Sequence, residues 1–376
     1  MAAKTLKRID WLLVLFILPI ILAGLVTMKN FVPAEASGDF FVKQVVWVIL
    51  SLAIFFGFSF IDFRFLKRTE VLVTIFLLTC SGLLLLFILG HVSHGAKSWF
   101  SFGFFSFQPV DVVKLVLVLL LAKYFSRRHV EIRDIKHIFV SFFYALVPLI
   151  LVLLQPDFGS AMIIALIWFG MVLVSGISKL HLFFVFASAA LIFCAIWFLA
   201  FAPYQKARVL NFISPLSDIH GSGYNAFQST IAVGSGRILG KGLGFGTQSR
   251  LKFLPEPQSD FVFAAFTEEW GLIGGLLILL FFGLVIWRIL YYALLGASNF
   301  EILFGMGIAV FFISQIIVNI GMNLGLLPIT GIPLPFMSYG GSHLLVEFAG
   351  LGILMSMRRY ARIAHRDKMK NEFLGF

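Results

Sequence analysis

Acidic residues are scarce in this chain, yet four of them crowd one stretch. FLPEPQSDFVFAAFTEEWG, Phe253–Gly271, carries Glu256, Asp260, Glu268 and Glu269. An ionised carboxylate beside hydrocarbon is costly unless it has a partner, a water route or a chemical task. Asp260 stands just before an apolar run. There a carboxylate can take a proton from a hydroxyl, or it can cap the helix that follows, as can Ser259. The residues alone leave both roles open. Glu256, between Pro255 and Pro257, suits a turn. Glu268 follows Asp260 by eight residues, about 12 Å along a straight helix, too far to share a proton. Glu268 and Glu269 are expected to pair with a cation from another helix or to hold helix ends.

Other chemistry-bearing residues are spread along the chain. Asp111 and Lys114 lie three apart in an apolar run and can pair along one helix face. Such a pair inside a membrane is functional or a staple between helices. Asp157 can cap the helix after it or line a cleft. Arg208, Arg237 and Lys241 supply positive charge, Arg as a two-pronged contact and Lys as a point charge. Between them GSGRILGKGLGFGTQ, Gly234–Gln248, holds six glycines. Such a run either lets backbone N–H groups approach a phosphate or forms a plain turn. It is not a P-loop, because Gly242 stands where that motif needs a hydroxyl. His91 and His94 form HxxH without a third ligand, which is weak evidence for a metal. Gln315, Asn319 and Asn323 are expected to hydrogen-bond between helices. Glu347 lies in the last apolar run without evident company.

These residues are set in a strongly apolar chain. Of its 376 residues 60% are hydrophobic and 12% charged, with mean hydropathy +1.00. Soluble domains carry about 25% charged residues. Runs long enough to cross a bilayer recur at Trp11–Thr27, Gln44–Ile61, Val71–Leu89, Ile138–Leu154, Phe158–Ile177, Leu182–Ala202 and Ile302–Met322. Pro109–Phe125, Ala264–Trp287 and Pro335–Met357 contain charges and still read as spans. The expectation is therefore an all-α integral membrane protein of ten helices, forming one domain over residues 1–376. Trp11–Thr27 reads as the first helix, since no small-residue cleavage site follows. Cys80 and Cys194 sit inside apolar runs and imply no disulfide framework.

With the amino terminus inside, segments assigned to the inner face hold about twice as many Lys and Arg as those outside. That places both termini in the cytoplasm and the segment 203–260 outside, between the seventh and eighth spans. Unlike the short connections elsewhere, it runs to roughly 58 residues, and loops beyond about 12–15 residues are functional or disordered. LNFISPL, YNAFQSTIAV and LKFLPEP mix aromatic with polar residues, so it is expected to fold, with short helices on the membrane surface. Its bases outnumber its acids and would attract an anion such as a lipid phosphate.

Ordered motifs now give a resemblance. QPDFGSA (155–161), PYQKAR (203–208), GSGYNAFQSTIAVGSG (221–236), GKGLGFGTQ (240–248), FLPEPQSDFVFA (253–264), TEEWGLIGG (267–275) and GIPLPFMSYGGS (331–342) resemble those of the SEDS family, in the same order. GAKSWFSFGFFSFQPVDVVK (95–114) resembles the stretch before that family's fourth helix. The family comprises rod-shape and division proteins of bacterial envelopes, and the wording of residues 331–342 leans toward its elongation members. The chain departs from the usual pattern at Asp111 (Glu), Arg237 (Gly), Gln258 (His), Ser259 (Thr) and His343 (Ser).

The resemblance implies an enzyme that polymerises lipid II into glycan strands at the outer face of the plasma membrane. It implies Asp260 as the essential aspartate, acting as base toward the incoming sugar hydroxyl. It further implies a class B penicillin-binding protein as partner, other elongation-complex membrane proteins nearby, and no nucleic acid. Arg208, Gln205, Arg237, Lys241, Asp157 and Ser338 lie in or beside the matched motifs as candidate substrate contacts, with Asp111–Lys114 as a supporting ion pair. The chemistry needs cations for the departing diphosphate; it admits a divalent cation such as Mg2+ without requiring one. The rival classes are a lipid II flippase or other transporter, and a scaffold without catalysis. Transporters keep charges near the midplane in repeated halves, whereas here charges gather at the outer boundary, Glu347 excepted, and no internal repeat is visible.

Overall fold

The computed structural model describes residues 10–29, 40–93, 96–101, 106–127, 135–199, 206 and 223–373. A helix occupies each of the ten apolar runs: α1 Trp11–Lys29, α2 Phe40–Phe60, α3 Thr69–Leu89, α4 Pro109–Ser126, α5 Ile135–Leu154, α6 Phe158–Val174, α7 Lys179–Leu199, α10 Val262–Leu294, α11 Asn299–Asn323 and α12 Gly341–Phe373. Two short helices, α8 Tyr224–Ser235 and α9 Thr247–Arg250, lie between α7 and α10. Among the described residues six helices are long and apolar enough to cross a membrane: α1, α2, α3, α5, α10 and α11.

The long helices show why hydrocarbon suits them. In α3 the buried residues Leu72, Phe76, Cys80, Leu83 and Leu86 recur at three and four, forming one packing seam. The opposite face is equally apolar and exposed, at Leu77, Leu78, Leu84, Leu85 and Ile88. A helix apolar all round, with its backbone bonds satisfied within itself, belongs in lipid. At the centre stands α4, buried along almost its whole length, and α11 packs on it. Around this pair α3, α6 and α5 close one side, and α10, α1, α2 and α12 the other.

Two departures from the helical expectation stand out. Residues between α3 and α4 form a small antiparallel sheet, β1 His91–Ser93, β2 Ala96–Ser101 and β3 Ser106–Phe107, in the order β1-β2-β3. The adjacent aromatics Trp99 and Phe100, flanked by Ser98 and Ser101, fit a strand better than a helix. Gly90 ends α3 by donating its N–H to the Leu86 carbonyl, so His91 lies in a strand and HxxH is not one helical turn; His94 is outside the described residues. The second departure is the tenth run. Pro335–Gly340 is not helical, because Pro333 and Pro335 interrupt the ladder and Phe336 sits at φ 59, so α12 starts only at Gly341.

Ion pairs tie helix ends opposite to Asp260. Arg288, late in α10, grips Asp10 ahead of α1 with two prongs at 2.9 and 2.8 Å. Lys67 reaches Glu301 in the first turn of α11 at 2.7 Å.

Candidate active site

The site grows from the short segment that leads into α10. Asp260 is half-buried there, and its backbone is fixed by the far end of α11. Asn319 and Asn323 each donate a side-chain N–H to the Asp260 carbonyl at 3.0 Å. Asn319 also donates to the Ile332 carbonyl at 2.7 Å, while the Asn323 amide oxygen receives the Ala264 N–H at 3.1 Å. Both amides are fully buried. An i, i+4 pair on one helix face thus ties the start of α10 to the segment 331–334.

That segment closes over the same place. Ser338 donates its hydroxyl to the Ser259 carbonyl at 2.6 Å and receives the Leu334 N–H at 2.8 Å. Gln44 of α2 donates to the Ser338 carbonyl at 3.0 Å, and Tyr339 N–H reaches the Gln258 carbonyl at 2.8 Å. Gly331, at φ 72, lies so close that a Cβ there would stand 3.4 Å from a carboxylate oxygen of Asp260. Ser338 therefore shapes the backbone beside Asp260.

Glu268 and Glu269 are buried, and α10 breaks just after them, at Gly271 with φ 68 and ψ −167. The break orphans four backbone groups, and the glycine-rich run satisfies them. Lys241 and Gly242 N–H donate to the Glu268 and Glu269 carbonyls at 3.0 Å each, and Leu272 and Ile273 N–H donate to the Arg237 and Ile238 carbonyls at 2.8 and 3.2 Å. The approach leaves no room for side chains: a Cβ on Gly240 would lie 2.0 Å from the Glu269 carbonyl oxygen. These N–H groups are committed to protein, so the run is a clamp on a broken helix rather than a phosphate cradle. The Glu268 carboxylate completes the clamp. It takes the Lys241 ammonium at 2.6 Å, the Gln248 and Ser249 N–H at 3.0 and 3.3 Å, and the Thr247 hydroxyl at 3.1 Å. Glu269 receives Gly244 N–H at 3.0 Å.

A third acidic group lies under the 331–342 segment. Lys114 meets Asp111 at 3.0 Å with both side chains 1% exposed. His343 Nδ1 stands 3.5 Å from Asp111 on one side, and its Nε2 stands 2.9 Å from Glu347 on the other. The second Glu347 oxygen takes the N–H of Phe336 at 3.0 Å. The array accounts for Glu347, whose partner lies four residues back on its own helix. It bridges α4 and α12 and supports the strained turn at Phe336.

The remaining candidates fall as follows. Asp157 caps α6, receiving Ser160 N–H at 3.0 Å, and also faces the Gln108 amide at 3.3 Å. Arg237 is exposed on a left-handed backbone at φ 51. Arg208 and Gln205 lie outside the described residues. Among the described residues no three His, Cys, Asp or Glu side chains gather to hold a metal. The structure thus brings Asp260 and Ser338 together at one place, and Lys241, Glu268 and Glu269 at a second. The sequence marked His343 only as a departure from the family pattern and gave no role to Gln44, while Asn319 and Asn323 read only as interhelical contacts.

The fold and these motifs have known counterparts. Residues 5–363 match the FTSW_RODA_SPOVE model, described as cell cycle protein. The chain belongs to the FtsW/RodA/SpoVE family. It is 37% identical over 278 residues to the peptidoglycan glycosyltransferase MrdB of Escherichia coli K12, covering 74% of this chain and 75% of that one. To stage V sporulation protein E of Bacillus subtilis 168 it is 36% identical, covering 94% and 98%. A solved chain from a peptidoglycan synthase complex that coordinates polymerization and crosslinking superposes with TM-score 0.79 at 32% identity, over 94% of this chain and 98% of that one. The rod shape determining protein RodA of Thermus thermophilus superposes with TM-score 0.68 at 27% identity, covering 93% and 96%.

Proposed function

We propose that this family member is a peptidoglycan glycosyltransferase that polymerises lipid II during cell elongation, with Asp260 as the general base. The observation that carries the assignment of the base is a half-buried carboxylate whose backbone is pinned by two buried amides. A hydroxyl oxygen of the acceptor sugar attacks the anomeric carbon of the donor. The bond from that carbon to the diphosphate breaks, and undecaprenyl diphosphate leaves with the electron pair. Asp260 takes the hydroxyl proton, so its protonated form appears as the new glycosidic bond forms. No nucleotide is needed, because the diphosphate ester is itself the activated donor.

Positive charge for the departing diphosphate comes from Arg208 and Lys241, which lie in matched motifs, Lys241 at the edge of its clamp. Asp111 and Lys114 act as a support for the 331–342 segment. The chain crosses the plasma membrane ten times, with both termini in the cytoplasm and residues 203–260 outside. The positive-inside bias and a helix in every apolar run support that reading. A class B penicillin-binding protein is the partner that crosslinks the product, a reading supported by the relative solved within a synthase complex.

The test is reconstitution with that partner and labelled lipid II. The native chain is expected to make glycan and Asp260→Asn none, while both give the same elution profile and melting temperature. Polymer at the native rate from Asp260→Asn would remove the base. Lipid movement across the vesicle without polymer would make the chain a transporter.

A further inference from the structure

The clamp beside Asp260 has an outer surface that the reaction above does not use. Leu239 is 79% exposed, Phe245 67%, Ile238 63% and Leu243 51%. These large apolar side chains sit on a loop, where polar residues are expected. They cannot fold inward, because the backbone that carries them is bonded into the break of α10 and held from behind by Glu268 and Glu269. The exposure is built in.

Two further features say what meets this surface. The patch continues onto the apolar side of α10 without interruption: Ile273 donates its N–H to the Ile238 carbonyl, and Leu272, Ile273 and Leu276 are about half exposed beyond it. That strip belongs to a helix apolar enough to cross a membrane. The patch is also ringed by one sign of charge. Arg237, Arg250 and Lys252 are exposed, and residues 237–254 contain no Asp or Glu. Arg237 and Lys252 hold left-handed backbones at φ 51 and 59, a conformation unfavourable for residues with side chains. A surface too apolar for water and too basic for hydrocarbon fits the boundary between them.

We propose that residues 237–254 form an interfacial anchor that inserts its apolar tip into the leaflet and binds anionic phospholipid headgroups with Arg237, Arg250 and Lys252. The headgroup is a phosphodiester carrying one negative charge, for which a two-pronged Arg and a point-charge Lys are matched contacts. The anchor sets the height of the α10 entrance, and hence of Asp260, against the plane in which a lipid-linked substrate diffuses. It rests on the reading that this end of the chain lies at a membrane boundary and does not depend on which residue is the base.

The experiment places a nitroxide at Leu239→Cys or Phe245→Cys, in full-length chain with Cys80 and Cys194 replaced by serine. Nanodiscs contain phosphatidylcholine alone or with one quarter phosphatidylglycerol. Without any partner protein, both labels are expected to be open to oxygen and closed to a water-soluble nickel chelate. Phosphatidylglycerol should seat them deeper, and Arg237→Gln/Arg250→Gln/Lys252→Gln should abolish that dependence. Inorganic phosphate should leave the depth unchanged. Nickel access at both positions overturns the anchor, as does protection that arises only when the penicillin-binding partner is added. Equal depth in both lipids, or displacement by inorganic phosphate, overturns the headgroup assignment. Because the labels report depth and not turnover, Asp260→Asn should keep the native depth while losing polymerisation, so failure of the anchor and failure of the base are told apart.

Discussion

Asp260 and Glu268 stand eight residues apart at the same helix entrance, and the fold treats them in opposite ways. Glu268 is wholly buried, and a lysine, a hydroxyl and two backbone N–H groups converge on its carboxylate. At Asp260 two amides fix the backbone carbonyl, and the residue itself is half-buried. A carboxylate saturated by its own protein is a structural part, because every proton acceptor site is occupied. One whose main chain is fixed and whose side chain reaches the surface can meet a substrate. The difference lies in what surrounds each acid, since both are single carboxylates beside an apolar helix.

The comparison breaks most sharply on the two charge-removing variants. Asp260→Asn should lower polymerisation by at least about 100-fold, the low end for losing a general base, with thermal unfolding unchanged. Glu268→Gln should do the reverse in the first instance and destabilise the protein by about 3 kcal/mol, since Lys241 and the loop N–H groups lose their acceptor. Adding Lys241→Met should recover part of that stability. Full stability with lost activity in Glu268→Gln would make Glu268 a participant in the chemistry and erase the distinction.

Smaller changes sharpen the same contrast. Gly240→Ala puts a methyl group against the Glu269 carbonyl at φ 82, and about 2–3 kcal/mol of stability should go, from backbone strain and overpacking together. Asn319→Leu strips the Asp260 and Ile332 carbonyls of a donor each. A cost of about 1–3 kcal/mol is expected, and with the base displaced, turnover should fall about tenfold with little change in KM. A turnover that stays native would show that Asn323 alone positions Asp260.

Much of this was legible in the sequence. Uninterrupted apolar runs of about 20 residues have few ways to satisfy their backbone except as helices, and each run contains one. The ends were less legible: Pro335–Gly340 is as apolar as a span, and only the proline spacing and the turn at Phe336 keep it out of the helix. The kink was illegible, because Gly271 breaks α10 only where residues 237–242 arrive to take up the freed groups. Glu347 was readable in part. His343 lies four residues before it, a spacing that places both on one helix face, but Asp111 comes from another helix and no local pattern points to it. Asn319 and Asn323 gave the same i, i+4 signal, while their target on Asp260 depends on tertiary packing.

Asp62 supplies the third case, an acid that is neither buried nor near the site. It caps the short 3-10 turn Phe63–Lys67, accepting the Arg64 N–H at 2.9 Å and the Arg64 guanidinium at 2.7 Å. That side-chain hydrogen bond holds its carboxyl below the usual aspartate range, against a smaller opposing effect of burial. A depressed folded value contributes stability above the unfolded pKa of about 3.9, lost as pH falls through the folded value. Because water screens an exposed pair, the contribution should be a few tenths of a kcal/mol. Asp62→Asn should therefore lower the melting temperature by about 1 °C at neutral pH, with the gap to native closing below about pH 3. Polymerisation should not change. A loss of several degrees, or a gap that widens in acid, would mean that contacts other than the Arg64 pair hold this turn.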